Sequence, residues 1–144
     1  MNYTHDMILR TKAFNVSLIS KSATFDLFKH FGFTSGKDVN KFENYEDFAR
    51  SVNGIAYINK GTNAYISAKV IKSLDLGSHT MFVGEVDDME VLSEDESMTY
   101  DFYMKNVKPK PQPVATDANG KTIFRCAICG YEYVGEELSS DYIC

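Results

Sequence analysis

Three cysteines, Cys126, Cys129 and Cys144, are all the thiols the 144-residue sequence holds, and all of them fall in its final stretch, CAICGYEYVGEELSSDYIC. Cys126 and Cys129 form a C-x-x-C pair followed by Gly130 and Tyr131. Thiolates at this spacing on a glycine-ended turn converge on one point, and the N–H groups of the turn can hydrogen-bond the sulfurs. The chemistry is that of a metal knuckle for iron or zinc, and a tetrahedral ion takes one ligand more than these cysteines supply. An odd number of thiols leaves any disulfide set open. A metal site in a reducing, cytoplasmic compartment therefore reads better than a redox pair or a free thiol.

Two further stretches could carry chemistry. His79 follows Gly77-Ser78 at the start of an alternating run, where a ring nitrogen at the mouth of a barrel could donate to a cofactor or substrate. The plainer reading is a strand histidine at a surface or in a core. The loop Thr34-Ser35-Gly36-Lys37-Asp38 puts two hydroxyls, a flexible backbone and a cation together, a composition that holds a phosphate or a polar ring edge, or simply turns the chain. His5 and His30 carry less signal, and the acidic run from Asp87 to Glu96 reads as a solvated hairpin end. No G-x-G-x-x-G, P-loop or Ser/His/Asp arrangement is present. A net charge of −5 offers no basic face to nucleic acid. No apolar run reaches the roughly 18 residues that span a bilayer.

The elements that must position these groups are mainly β, with helices. Thr4 is a candidate N-cap for a short first helix, with Asp6 at its positive end and Met7, Ile8 and Thr11 facing inward. Phe14, Val16 and Leu18 alternate as a strand. Ser22 can cap a second helix with Phe25, Phe28 and Phe31 on one face and Gly32 at its end. A third helix is expected from Glu43 to Val52, closed by Asn53-Gly54. Tyr57-Ile58 is a short strand, and Ala64–Leu74 and His79–Leu92 are long antiparallel partners, as in a coiled sheet or barrel. Residues 98 to 106 form a last turn or short helix, and the stretch from 106 to 121, which holds all three prolines, reads as a linker.

Two resemblances add to this reading. The tail, with its C-x-x-C-G-Y-x-Y start and its run into Asp141-Tyr142-Ile143-Cys144, resembles the short form of rubredoxin found also as a module of rubrerythrins. The stretches NYTHDMI (2 to 8), FGFTSGKDVNKF (31 to 42) and LGSHTMFVGEV (76 to 86) resemble the flavin reductase family with its FMN-binding split β-barrel, in the flavoredoxin-like branch. The two in this order look like the high-molecular-weight rubredoxins of anaerobes.

The resemblance implies a partial split barrel over 1–107, a linker over 108–121 and a rubredoxin-like module over 122–144. It also implies a fragment clipped at both ends, since family members have strands before the position of Met1 and a fourth cysteine beyond Cys144. Ser78 stands where the family motif has Asp, Ser139 where a Pro is usual, and Met104 where His is frequent. It implies Asn2 and Thr4 near the FMN phosphate or ribityl chain, Ser35, Gly36 and Lys37 beside the isoalloxazine or nicotinamide, and His79 at the flavin edge as the catalytic contact. Cys126, Cys129 and Cys144 would hold iron, or zinc. The implied activity is electron transfer from NAD(P)H through FMN and iron to a flavodiiron-type acceptor, in oxygen or nitric oxide detoxification, by a homodimer. A zinc-ribbon interaction module on a cofactor-free barrel and a plain flavin reductase are the competing expectations.

Overall fold

The computed structural model describes residues 3–137. It divides the chain into two compact units, Met1–Met98 and Thr99–Cys144.

In the first unit, helix α1 (Tyr3–Thr11) leads into strand β1 (Ala13–Ile19). Thr4 lies inside α1 rather than at its cap, because the helix already begins at Tyr3. Of the residues expected to face inward only Ile8 is half-buried; Met7 is exposed, and the Thr11 hydroxyl turns back to the Met7 carbonyl at 3.0 Å. Helix α2 (Phe25–Gly32) follows, with Thr24 in the N-cap position. Ser22 does not cap it, since its hydroxyl donates to the Asp95 carboxylate at 2.7 Å, a partner far away in sequence.

The expected third helix is absent. Residues 41 to 44 are turns, Asn44 has φ +60, and the chain enters strand β2 (Phe48–Arg50), which pairs with β3 (Ala56–Ile58). The aromatic spacing that imitates a helix serves instead to gather rings. Phe42 packs on Phe31 and Phe48 with centroids 5.5 and 4.9 Å apart, and Tyr45 stacks on His30 at 5.2 Å. Asn53-Gly54, expected to end a helix, instead turns the β2–β3 hairpin, with Gly54 at φ +78, where a Cβ would be strained.

Strands β4 (Thr62–Asp75) and β5 (Thr80–Val91) are the long pair, and β1 joins β4 on its other side to give the order β1-β4-β5, all antiparallel. The register shifts between Ser67 and Ala68 and again between Val70 and Lys72. Each irregularity bends the ladder and increases its twist. Among the described residues the sheets have three, two and three strands and none closes into a barrel.

The face of β1 and β4 that lies under the β2–β3 hairpin is polar. Asn15 Nδ2 donates to the Ser51 hydroxyl at 2.9 Å and to the Ile55 carbonyl at 2.8 Å. Asn53 Nδ2 donates to Asn15 Oδ1 at 2.9 Å, and the Ser51 hydroxyl to that of Ser67, which is wholly buried. Satisfied networks of this kind fix one arrangement, because every alternative leaves a buried polar group unpaired. Beside them Tyr57 stacks on buried Tyr65 at 3.9 Å, and the Tyr65 hydroxyl donates to Asp88 at 2.6 Å. The opposite face carries Val16, Val86, Met89 and Val91, all exposed.

The second unit opens with α3 (Tyr100–Phe102), whose Phe102 N–H is capped by the Thr99 hydroxyl, and a π turn over Tyr103–Val107. The proline stretch is not simply a linker: β6 (Gln112–Thr116) pairs with β7 (Thr122–Arg125), which pairs with β8 (Glu132–Val134). Proline removes a ladder donor, but Pro113 lies on an edge strand next to a register shift, where the missing N–H leaves no gap. No helix among the described residues is long and apolar enough to cross a membrane.

Two outcomes follow for the first unit. Replacing Asn15 with Ala should destabilise it by about 1–3 kcal/mol in urea unfolding, because Asn53 and the Ile55 carbonyl lose a buried partner; a loss within error would show the network to be dispensable. The Tyr65 phenol is pushed up to about 12, first by its hydrogen bond to Asp88 and then by burial. Its contribution to stability is therefore complete below the ordinary phenol value near 10 and is lost as pH rises from there towards 12. Stability measured across that window should fall more steeply in the wild type than in Tyr65→Phe.

Candidate functional site

Helix α1 is flanked by two hollows. One, of about 900 Å³, lies between Tyr3, Thr4 and Met7 of α1 and residues 31–42. The other, of about 260 Å³, lies between Thr4, His5 and Ile8 of α1 and the turn that carries Gly77, Ser78, His79 and Thr80. Thr4 lines both, so they adjoin across the first turn of the helix. The larger falls in the size range of small-molecule sites, about 300–1,000 Å³.

The loop wall of the larger hollow is held from within. The Ser35 hydroxyl accepts the Lys37 N–H at 3.1 Å, and the Asp38 and Val39 N–H groups converge on the Ser35 carbonyl. Lys41 Nζ donates to the Phe31 carbonyl at 2.6 Å, and His30 Nε2 donates to the Lys41 carbonyl at 2.6 Å. Gly36 meets the Tyr3 ring: a Cβ there would lie 3.2 Å from Tyr3 Cδ1, so the bare backbone lets the ring close over the loop. Lys37 forms no ion pair among the described residues. The hydrogen bond from His5 and, more weakly, nearby positive charge that includes Lys37 hold the Asp6 carboxyl below its usual value. A cation, hydroxyls and an aromatic wall suit an anionic group attached to a flat ring.

At the smaller hollow the β4–β5 turn is shaped by Gly77, at φ +84, whose N–H donates to Asp75 Oδ1 at 2.8 Å. Leu76 N–H donates to the His79 carbonyl at 2.9 Å. His79 is exposed, and its Nδ1 lies 2.9 Å from the Ser78 hydroxyl. Ser78 thus supplies a neutral partner to the ring.

The structure brings Thr4, Ser35, Gly36 and Lys37 around one hollow and Thr4 and His79 around the other. Asn2 lies outside the described residues. Two more residues line the smaller hollow: His5, which carries little signal in the sequence and whose Nε2 lies 3.0 Å from the Thr80 hydroxyl, and Thr80 itself, which sequence reasoning did not single out. No local pattern links positions this far apart; only the strand register that returns β5 to α1 does.

In the second unit Cys126 and Cys129 sit on a tight turn after β7. Gly130 N–H donates to the Cys126 carbonyl at 2.9 Å, with Gly130 at φ +75, and Cys126 N–H donates to the Tyr131 carbonyl at 2.8 Å. The Ile128 N–H points to Cys126 Sγ at 3.4 Å, the bond that favours a thiolate at this position. Cys126 is buried and Cys129 exposed. Phe124 and Tyr133 stack at 5.5 Å in the same sheet. The turn fits half of a tetrahedral thiolate set. Cys144 lies outside the described residues, and among those described no group of three or more His, Cys, Asp or Glu is placed to hold a metal.

The likenesses to known proteins agree with the first unit. A high molecular weight rubredoxin of Moorella thermoacetica is 32% identical over 142 residues, covering 92% of this chain and 62% of its own length. A ferric-chelate reductase (NAD(P)H) of Archaeoglobus fulgidus is 35% identical over 115 residues, covering 80% of this chain and 68% of that protein. Among solved structures, an NADH:FAD oxidoreductase of Streptomyces globisporus C-1027 superposes with a TM-score of 0.57 at 23% identity, over 67% of this chain and 56% of the other. The chain thus spans less than two thirds of the rubredoxin relative's length. Residues 1–109 match the flavin reductase like domain, and the chain belongs to that family.

Proposed function

We propose that the protein is an NAD(P)H-dependent oxidoreductase that binds FMN beside α1 and passes electrons to a rubredoxin-type iron, and from there to a flavodiiron-type acceptor. The observation that carries this reading is the pair of adjoining hollows meeting at Thr4, one bearing a cation and hydroxyls and the other bearing His79. The family match and the identity to a high molecular weight rubredoxin and to a ferric-chelate reductase support it.

When bound, a flavin supplies the conversion between a hydride donor, which gives two electrons together, and one-electron acceptors. The chain's own residues position the partners. Lys37, with the hydroxyls of Thr4 and Ser35, holds the anionic end of the cofactor, and Asn2 belongs to the same set. Gly36 allows the loop to approach closely. His79, with Nδ1 turned to Ser78, keeps Nε2 for the ring edge or the nicotinamide. In the second unit Cys126 and Cys129, with Cys144, would bind iron, and the N–H to Cys126 Sγ stabilises the thiolate charge.

The homodimer belongs to the same reading. Its support is the apolar face formed by Val16, Val86, Met89 and Val91, which water would otherwise cover at a cost of about 25 cal/mol per Å². Sedimentation at micromolar concentration should give twice the chain mass. A single-chain mass would contradict this part.

The activity has a direct test in the chain reconstituted with FMN and ferrous iron, then oxidised. NADH or NADPH should first reduce the flavin and then bleach the ferric–thiolate absorbance. Cys129→Ser should keep the first event and lose the second. Bound zinc with no ferric colour would contradict the iron step, and absence of NAD(P)H oxidation with FMN bound would contradict the oxidoreductase reading.

A further inference from the structure

His5 is placed by a hydrogen bond at each ring nitrogen. Nδ1 lies 3.0 Å from Asp6 Oδ1 and Nε2 lies 3.0 Å from Thr80 Oγ1, with the ring tilted against Phe82 at 5.8 Å. The His5 side chain is 14% exposed. An ionised carboxylate only accepts, so Asp6 requires the hydrogen on Nδ1. In the neutral ring Nε2 is then an acceptor, and its partner, the Thr80 hydroxyl, must donate to it. In that form the one Thr80 hydrogen is committed and Thr80 Oγ1 offers lone pairs to the hollow it lines, whereas a protonated ring would donate from both nitrogens and leave the Thr80 hydrogen free. Thr80 is held on the other side by its antiparallel pairing with Asp75 at the first position of β5.

We propose that Asp6, His5 and Thr80 form a relay that fixes Thr80 Oγ1 as a hydrogen-bond acceptor in the ligand site, making Thr80 the residue that selects a conjugated ring bearing an amide or imide N–H. His5 and Asp6 are positioning residues that act through it. The inference deepens the flavin and nicotinamide reading and rests on it. Both rings carry this chemistry, the flavin in its imide and the nicotinamide in its carboxamide. The site is thereby selective against rings that offer only acceptors along that edge, because two facing lone pairs leave both groups unsatisfied.

The test is equilibrium binding to the full chain, read by flavin fluorescence for FMN and by nicotinamide fluorescence for NADH, each added alone. The variants are Thr80→Val, which keeps the shape and removes the hydroxyl; Thr80→Ser, which keeps the hydroxyl; and His5→Gln, which keeps a donor or acceptor near Nε2. Thr80→Val should weaken one of the two ligands about tenfold, and Thr80→Ser by no more than about threefold. If the ligand is FMN, a flavin methylated at its imide nitrogen should bind the wild type about as weakly as FMN binds Thr80→Val, with no further loss in the variant. Histidine ring nitrogen NMR of the unliganded chain should show the Nδ1–H form of His5, and melting temperatures establish that each variant is folded. A folded Thr80→Val that binds both ligands like the wild type, or a His5 ring that carries a hydrogen on Nε2, whether as the neutral Nε2–H form or doubly protonated, would overturn the relay. A wild type that binds neither ligand would overturn the flavin and nicotinamide reading itself, and the relay with it.

Discussion

The hydrogen-bond ladder between β4 and β5 is the constraint on which the first unit depends. Because the two strands run antiparallel from Ala64↔Val91 to Asp75↔Thr80, the position of every residue at the tip follows from the register at the base. That register returns Thr80 to α1, where His5 meets it, and so closes the smaller hollow. A slip by one residue would turn Thr80 to the other face and put a neighbour in its place. The shifts at Ser67/Ala68 and Val70/Lys72 are part of the same device, since they bend a pair too long to stay flat. Gly84 lets the fold close here as well, for a Cβ would meet both Ala68 and the Phe14 ring at 3.1 Å.

The same sheet divides its two faces in an uncommon way. Under the β2–β3 hairpin it carries Asn15, Ser17 and Ser67, each bonded to the hairpin, while Val16, Val86, Met89 and Val91 on the other face are exposed. The polar groups on the covered side make the placement of the hairpin specific, because each is bonded to it and a displaced hairpin would leave them unpaired. In the second unit the β6-β7-β8 sheet presents Cys126 and Cys129 on a turn in which the Ile128 N–H points to Cys126 Sγ.

Period-two alternation made β1, β4 and β5 legible in the sequence, and the aromatic face of α2 was legible from its spacing. The face of the sheet that lies buried was not, because it is filled by Asn15 and Ser67, residues whose types signal exposure until their partners Ser51 and Asn53 are in place. Phe42, Tyr45 and Phe48 misled through spacing alone: rings at that interval mark a helix face or, as here, a cluster around Phe31 and His30. Pro113 misled through composition, because an edge strand tolerates it. Of the site, the loop around Ser35 and the turn around His79 could be picked out as motifs. The link from His5 to Thr80 could not, since it exists only once the β4–β5 register is known.

A ligand seated where the two hollows adjoin is tested most directly by backbone amide NMR of the chain titrated with FMN. The amides of Thr4, His5, Gly36, Lys37, His79 and Thr80 should shift together with one dissociation constant, while those of the β6-β7-β8 sheet stay in place. Shifts confined to residues away from α1 and its two loops would contradict it.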